Sequence, residues 1–86
     1  MFTAEAMAIR YSKHAELRLR ERGIPKTWIE TTLADLDRQV PDPSDRRLTR
    51  AYKKLTAAGG RVLRVVYATI ANDTLIVTAF LDRDAE

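Results

Sequence analysis

The last third of the chain carries the pattern that most restricts its fold. Residues 61–70 (RVLRVVYATI) and 74–81 (TLIVTAFL) are rich in β-branched and aromatic residues, and ANDT at their junction is typical of a turn. Branched and aromatic side chains pack well on a pleated surface, and a short polar turn joins two such runs into a hairpin. The sequence therefore predicts a β-hairpin over residues 61–82.

Helical signals dominate the first part of the chain. Ser12 is a good N-cap, and the sequence KHAELRLRER that follows consists almost wholly of strong helix formers. Gly23 is expected to end this helix as the residue after the C-cap. A Schellman motif there would place Ile24 against Leu19.

A second helix is predicted directly afterwards. Pro25 suits a first helical turn, and we expect the helix to run to about Asp37. The sequence VPDPSD, residues 40–45, is typical of a turn or loop. Apolar residues recur at helical spacing at Ile29, Leu33, Leu36 and Val40.

Two segments are less clear from their pattern. Residues 46–55 (RRLTRAYKKL) have apolar residues at helical spacing, which weakly favours a helix, although the segment ends in TAAGG just before a strand. Residues Ala8 to Tyr11 are compatible with a short strand before the first helix.

Length and composition exclude several classes of protein. With 86 residues, a mass of 9.8 kDa and no cysteine, the chain predicts one domain over residues 1–86, without disulfides, a thiolate metal site or a deep cofactor cavity. One histidine makes a zinc site improbable, so neither a metal nor a cofactor is expected. No apolar run approaches the roughly 18 residues of a membrane span, which favours a soluble, cytoplasmic protein without a membrane partner.

The formal net charge of +3 hides two basic segments. Residues 10–26 carry a net +4 and residues 46–64 a net +7 with no acid, whereas residues 27–45 between them carry −4. If the fold brings the two basic segments together, they form a surface suited to a polyanion.

The first helix also has a polar stripe with apolar neighbours. His14, Arg18 and Arg22 recur at four-residue spacing, with Ala15 and Leu19 on one flank and Leu17 on the other. The stripe is therefore expected to face the body of the protein or a cleft in it. One interpretation is a structural network with backbone carbonyls and acidic side chains, and the other is one wall of an anion-binding site.

The sequence YSKHAELRLRERGI resembles a family of short bacterial proteins that share an opening of the form SKHAxxRMxxRGI and are labelled a domain of unknown function. The resemblance extends through the PD, YKK, GRVLRVVY and VTAF segments and spans nearly the whole chain from Tyr11. Matching residues in the opening motif are Ser12, Lys13, His14, Ala15, Arg18, Arg22, Gly23 and Ile24.

That family is regarded as similar to the RelE, ParE and BrnT toxins of toxin-antitoxin systems. The resemblance implies an α+β fold in which two N-terminal helices pack on a small antiparallel sheet, and it makes residues 46–55 a strand. It also implies a metal-independent ribonuclease of the mRNA-interferase type, with RNA, which can be ribosome-bound mRNA, and an acidic antitoxin protein as partners.

The sequence ends in LDRDAE and lacks the basic or tyrosine-bearing tail of the best-understood nucleases, so the predicted mechanism depends on His14. Metal-free RNA cleavage needs a base for the 2′-hydroxyl, an acid for the leaving oxygen and cations for the phosphorane charge. We predict His14 as the base and Lys53 or Tyr67 as the acid. The predicted cations are Arg64 in the catalytic set and Arg18, Arg22, Arg50 and Lys54 at the RNA phosphates.

Other interpretations of these residues stay open. Lys53 and Lys54 would point to opposite faces of a strand, so only one of them can line a given cleft. Arg64 is equally explained as a charge that protects a strand edge, and Trp28 as a core or partner-interface residue. The alternative function is a nucleic-acid-binding or protein-interaction module of the same fold with no nuclease activity.

Overall fold

The computed structural model of the chain describes residues 8–85. Two α-helices and five β-strands make up most of this part, and a one-turn 3₁₀ segment follows each of the third and fifth strands. In chain order the elements are β1 (Ile9–Tyr11), α1 (Lys13–Arg22), α2 (Lys26–Ala34), β2 (Arg38–Pro41), β3 (Thr49–Leu55), β4 (Arg61–Ile70) and β5 (Asp73–Leu81).

All five strands form one sheet in the order β1-β5-β4-β3-β2. The strands β2 to β5 are antiparallel neighbours, whereas β1 runs parallel to β5. The predicted fold, two N-terminal helices on an antiparallel sheet, is therefore wrong, because the sheet is mixed and the helices follow a strand. That strand, β1, confirms the short strand considered for residues 8–11. The sheet is mixed because β1 pairs with β5, which lies far away in the sequence. In this pairing the Thr74 N–H donates to Ala8 O (2.9 Å) and the Ser12 N–H donates to Ile76 O (3.1 Å).

The hairpin and the first helix are confirmed. Strands β4 and β5 pair around a tight turn at residues 71–72. The Ser12 hydroxyl accepts a hydrogen bond from the Ala15 N–H (3.0 Å) at the start of α1. At the other end Gly23 has a φ of +66°, and the Ile24 N–H donates to Leu19 O (2.9 Å), as a Schellman motif requires.

The second helix is shorter than predicted. It ends at Ala34 rather than near Asp37, and the chain then extends into β2. The Asp37 N–H donates to Tyr52 O (2.9 Å), and the Asp37 carboxylate accepts from the Lys54 N–H (2.7 Å). Pairing with β3 therefore overrides the helical spacing of the apolar residues. The loop predicted for residues 40–45 is also wrong at its start, because Val40 and Pro41 belong to β2.

Residues 49–55 form a strand. The weak helical preference of residues 46–55 is wrong, and the strand that the resemblance implies is confirmed for β3. Local spacing failed because β3 pairs on both sides, with β2 and with β4, and these ladders outweigh the intrinsic preference of the segment.

Both helices lie over one face of the sheet. The core between them and the sheet contains ten buried residues, and Trp28 packs against it, which confirms the core interpretation of that residue. Within residues 8–85 neither helix combines the length and apolar character that a membrane crossing needs. The core residues are Ala15, Leu19, Ile24, Ile29, Ala51, Leu55, Leu63, Val65, Ile76 and Ala79.

The polar stripe of α1 does not face this core. Ala15 and Leu19 do, with exposures of 0% and 4%, whereas His14 and Arg22 are exposed and Arg18 is half-exposed. The predicted inward orientation is wrong for His14 and Arg18, because the helix buries its apolar flank instead, which spares these side chains the cost of desolvation. Arg22 is exposed too, but its guanidinium donates to Ala79 O at the edge of the sheet.

Candidate nucleic-acid interface

The face of the sheet without helices, called here the helix-free face, carries alternating cationic and aromatic side chains. The strand register places Arg38 opposite Tyr52, Tyr52 opposite Arg64, and Arg64 opposite Phe80. Directly opposed residues point to the same face of a sheet, so these four side chains form a row across β2, β3, β4 and β5.

Neighbouring side chains of the row are joined by cation–π contacts, and α1 extends the row by one residue, Arg22. The guanidinium carbon of Arg38 lies 4.4 Å from the Tyr52 ring centroid, and that of Arg64 lies 4.5 Å from Phe80 and 5.8 Å from Tyr52. At the β5 end of the row, the guanidinium carbon of Arg22 lies 5.6 Å from the Phe80 centroid. All four distances are within the range of cation–π attraction. We call Arg38, Tyr52, Arg64, Phe80 and Arg22 the arginine–aromatic ladder.

Arg22 reaches the ladder across the edge of β5. Strand β1 pairs with β5 only as far as Ile76, which leaves the later part of that edge without a strand. Nη1 of Arg22 donates there to Ala79 O (2.9 Å) and to Thr78 Oγ1 (3.2 Å). The two basic segments of the sequence therefore meet at Phe80, whose ring is contacted by Arg22 from the first segment and by Arg64 from the second.

Arg64 is fixed by a buried carboxylate. Its Nη2 and Nε donate to Oδ2 of Asp82 at 2.6 and 2.9 Å, and the two side chains are 17% and 7% exposed. Burial raises the pKa of Asp82, but the Arg64 guanidinium and the N–H groups of Asp84 and Ala85 lower it by more than burial raises it. The net result is a pKa below the usual value of 3.8. Asp82 is thus ionised at neutral pH and cancels the charge of Arg64.

A second pair of this kind fixes Arg50. Its Nε donates to Oδ2 of Asp42 (3.0 Å), and Oδ1 of Asp42 accepts from the N–H groups of Ser44 (2.8 Å) and Asp45 (3.0 Å). These hydrogen bonds, led by the one from Ser44, lower the pKa of Asp42. Arg50 therefore holds the loop between β2 and β3 in place.

A cleft lies beside the ladder at its β2 end. It has a volume of about 520 Å³. Two cations point to it, Arg38 and Lys54, and neither makes an ion pair with a carboxylate among residues 8–85. The full lining is Asp37, Arg38, Tyr52, Lys54, Gly60, Val62 and Ala85.

The predicted site residues divide between the two faces. Arg64, Arg50 and Lys54 lie on the helix-free face, which Arg22 also reaches, whereas Lys53 and Tyr67 lie on the helix-covered face. The four predicted catalytic residues therefore do not all converge on one face.

Lys53 and Tyr67 have local partners on their own face. Lys53 Nζ donates to Asp35 (3.3 Å) and Asp37 (3.5 Å), and the Tyr67 hydroxyl donates to Gln39 Oε1 (3.0 Å). The hydrogen bond to Asp35 raises the pKa of Lys53, and burial raises that of Tyr67. Both groups therefore hold their protons more tightly than free side chains do. Neither is well suited to act as a general acid near neutral pH.

The other two predicted residues lie on α1. Arg18 forms an exposed ion pair with Glu21 (2.7 Å), so its charge is partly compensated. His14 is exposed and makes no hydrogen bond to the part of the chain that the structure describes. Four-residue steps place His14 on the same side of α1 as Arg18 and Arg22, which is the side that reaches the edge of β5.

Sequence reasoning missed Arg38, Phe80, Asp82 and Asp37 as parts of this surface. Once residues 49–55 are a strand, alternation places Arg50, Tyr52 and Lys54 on one face, so that part was within reach. The contribution of Arg38 depends on the register between β2 and β3, for which the sequence has no local signal.

These features define a small protein with a helix layer over one face of a mixed sheet and a basic, aromatic surface on the other. Residues 11–81 match the model of a family described as a domain of unknown function (DUF4258), so the chain belongs to that family. The predicted membership in such a family is thereby confirmed, whereas the similarity to RelE, ParE and BrnT toxins stays a prediction. No curated protein and no solved structure is significantly similar to the chain.

Proposed function

We propose that this protein binds single-stranded RNA across the helix-free face. The observation that carries the proposal is the arginine–aromatic ladder, which spans four strands and one helix end. Arginine forks bind phosphates, and guanidinium planes stack on unpaired bases. The surface thus offers both kinds of contact that an unpaired strand can use.

Charge compensation selects the residues that contact the phosphates. Asp82 neutralises Arg64 and Asp42 neutralises Arg50, so these two arginines mainly support the surface. Arg22, Arg38 and Lys54 make no ion pair with a carboxylate among residues 8–85, so of the cations that reach the helix-free face these three are available to a polyanion. RNA binding is therefore expected to depend on these three.

The test measures affinity against salt concentration. Fluorescence anisotropy of a short labelled single-stranded RNA gives the slope of log K against log [salt], which is about −0.7 per phosphate contact. Three contacts predict a slope of about −2. Removing Arg22, Arg38 and Lys54 together should abolish the slope, and each single alanine variant should reduce it by about 0.7.

Arg20→Ala is the matched control. Arg20 is exposed on α1 and lies about 200° around the helix from Arg18, so the variant loses the same charge away from the helix-free face. Equal losses in Arg20→Ala and in the alanine variants of Arg22, Arg38 and Lys54 would show that binding is unspecific. No binding by the wild-type protein would refute the proposal.

Metal-independent RNA cleavage is the second candidate, favoured by the exposed position of His14 on the side of α1 that Arg22 uses. In this candidate His14 takes the proton of the 2′-hydroxyl as the O2′–P bond forms, and Arg22 stabilises the phosphorane charge. The P–O5′ bond then breaks to leave a 2′,3′-cyclic phosphate, and solvent water supplies the proton to the leaving O5′. Wild-type protein should then cleave RNA in the presence of a chelator, and His14→Ala should abolish cleavage while circular dichroism shows an unchanged fold. Cleavage that survives this substitution would exclude His14 as the base.

A toxin role would add a protein partner to this candidate. An acidic antitoxin would be expected to cover Arg22, Arg38 and Lys54, because these uncompensated cations attract carboxylates as well as phosphates. Expression should then arrest growth, and His14→Ala should relieve the arrest at equal protein levels. Growth arrest that persists in the variant would separate toxicity from His14.

A further inference from the structure

The cleft beside the ladder has polar groups of both signs at defined positions. Lys54 and Tyr52 are two residues apart on β3, and Arg38 lies directly opposite Tyr52 on β2. Two residues along a strand span about 7 Å, so the long side chains of Arg38 and Lys54 can reach the same phosphate group. A Cβ built on Gly60 would lie 3.7 Å from Cε of Lys54, so the Lys54 stem passes beside Gly60.

Asp37 supplies the acceptor at the same cleft. Its Oδ2 accepts the Lys54 N–H at 2.7 Å, and its Oδ1 lies 3.5 Å from Lys53 Nζ. The hydrogen bond from the Lys54 N–H lowers the pKa of Asp37, so the group is a carboxylate at neutral pH. Its side chain is 50% exposed, and each carboxylate oxygen has a further lone pair for a donor from outside the protein.

We infer that the cleft binds one ribonucleotide, with its phosphate on Arg38 and Lys54 and its ribose hydroxyls donating to Asp37. A carboxylate is the acceptor of choice for a sugar hydroxyl because a charge-assisted hydrogen bond is stronger than a neutral one. The volume of about 520 Å³ is in the range of small-molecule sites, about 300–1,000 Å³. The apolar wall at Val62 and Ala85 accommodates the rest of the nucleoside.

The inference deepens the proposed RNA binding and rests on it, since the cleft would hold one nucleotide of the bound strand. It adds a reason for selecting RNA over DNA. The ladder contacts phosphates and bases, which both nucleic acids have, whereas Asp37 detects the 2′-hydroxyl, which only RNA has.

The test is an NMR titration of the isotope-labelled full chain with adenosine 5′-monophosphate, its 2′-deoxy analogue and inorganic phosphate. We expect shifts of the backbone amide signals of Gly60, Val62 and Ala85 with the ribonucleotide. The deoxynucleotide should bind about tenfold more weakly, because it lacks one hydrogen bond to a charged group. Inorganic phosphate should bind more weakly still.

Three variants locate the contacts. Lys54→Ala should weaken both nucleotides about tenfold, since it removes one phosphate contact. Asp37→Asn keeps an acceptor for the Lys54 N–H but should remove the preference for the ribonucleotide. Arg20→Ala, which changes the charge by the same amount as Lys54→Ala, should alter neither affinity.

Each contrary result has a defined meaning. No shifts at the cleft with the ribonucleotide, while RNA still binds with the predicted salt slope, would refute this inference and leave the proposed function intact. Equal affinity for the two nucleotides, or for phosphate alone, would refute the role of Asp37. If the wild-type protein does not bind RNA, both proposals are refuted.

Discussion

The two faces of the sheet exclude water by different means. On the helix-covered face, α1 and α2 bury Leu63, Val65 and Ile76 completely. On the helix-free face, Tyr52 and Val66 are only 6% exposed although no helix covers them. Arginine stems and the rings that they stack on take the place of the missing layer, because long cationic side chains bury their carbon atoms and leave the charge in water. The second arrangement stabilises a sheet face and keeps it available to an anionic ligand.

The largest expected difference between the faces concerns two neighbouring residues on β4. Leu63 points to the helices and is 0% exposed, whereas Val62 points to the cleft and is 9% exposed. Leu63→Ala should lower the free energy of unfolding by about 2–5 kcal/mol, because it leaves a cavity in the core. Val62→Ala should cost roughly 1–2 kcal/mol, because the cleft side can relax around the lost methyl groups. Urea unfolding measures both, and equal losses would show that the two faces are packed alike.

The next effect tests the charges that support the helix-free face. Asp82→Asn should lower the free energy of unfolding at neutral pH by about 2–3 kcal/mol, because it leaves Arg64 half-buried without its counter-charge. Asp84→Asn is the matched control, since it makes the same chemical change at an exposed neighbour. Comparable losses in the two variants would remove the distinction between a supporting carboxylate and a surface one.

The sign of the pH dependence follows from the lowered pKa of Asp82. A group whose pKa is lower in the folded than in the unfolded state contributes stability above its unfolded pKa and loses it as the pH falls through its folded pKa. The wild-type free energy of unfolding should thus decline below about pH 4, and the decline should be shallower in Asp82→Asn. Part of the decline with falling pH should remain in both proteins, because hydrogen bonds also lower the pKa values of Asp37, Asp42 and Asp45.

Local signals were sufficient for part of this architecture. The Ser12 cap, the Gly23 stop and the β-rich runs of the hairpin act between residues close in sequence, so the pattern alone predicts α1, β4 and β5. The parallel pairing of β1 with β5 joins Ile9 to Thr74 and depends on the whole chain. A three-residue strand has no periodicity that could reveal such a partner.

The same distinction applies to the candidate site. Charge counting identified the two basic segments, but it treated Asp82 and Asp42 only as negative charge, whereas the structure pairs each with one arginine. The convergence of Arg38 with Tyr52 depends on register, and that of Arg22 with Phe80 on how α1 crosses the edge of β5. Neither relation is encoded in the spacing of residues along the chain.

The smallest expected effect lies in the turn that joins β4 to β5 and belongs to neither face. Ala71 is the one non-glycine residue with a positive φ, +56°, in the described range 8–85. An alanine there meets steric resistance of roughly 1–2 kcal/mol, whereas glycine loses about 0.5–1 kcal/mol through its greater freedom in the unfolded chain. Ala71→Gly should therefore raise the free energy of unfolding by about 0.5–1 kcal/mol.

Asn72→Gly provides the opposite control for this turn. The φ of Asn72 is not positive, so glycine there relieves no strain and should lower the stability slightly. If Ala71→Gly also destabilises the protein, the strain assigned to this turn is wrong. The turn is outside the core and the ladder, so Ala71→Gly should change neither of two quantities. One is the difference in unfolding free energy between Leu63→Ala and Val62→Ala, and the other is the salt slope of RNA binding. A change in either quantity would mean that the hairpin turn adjusts the two faces together and that they are less independent than their packing indicates.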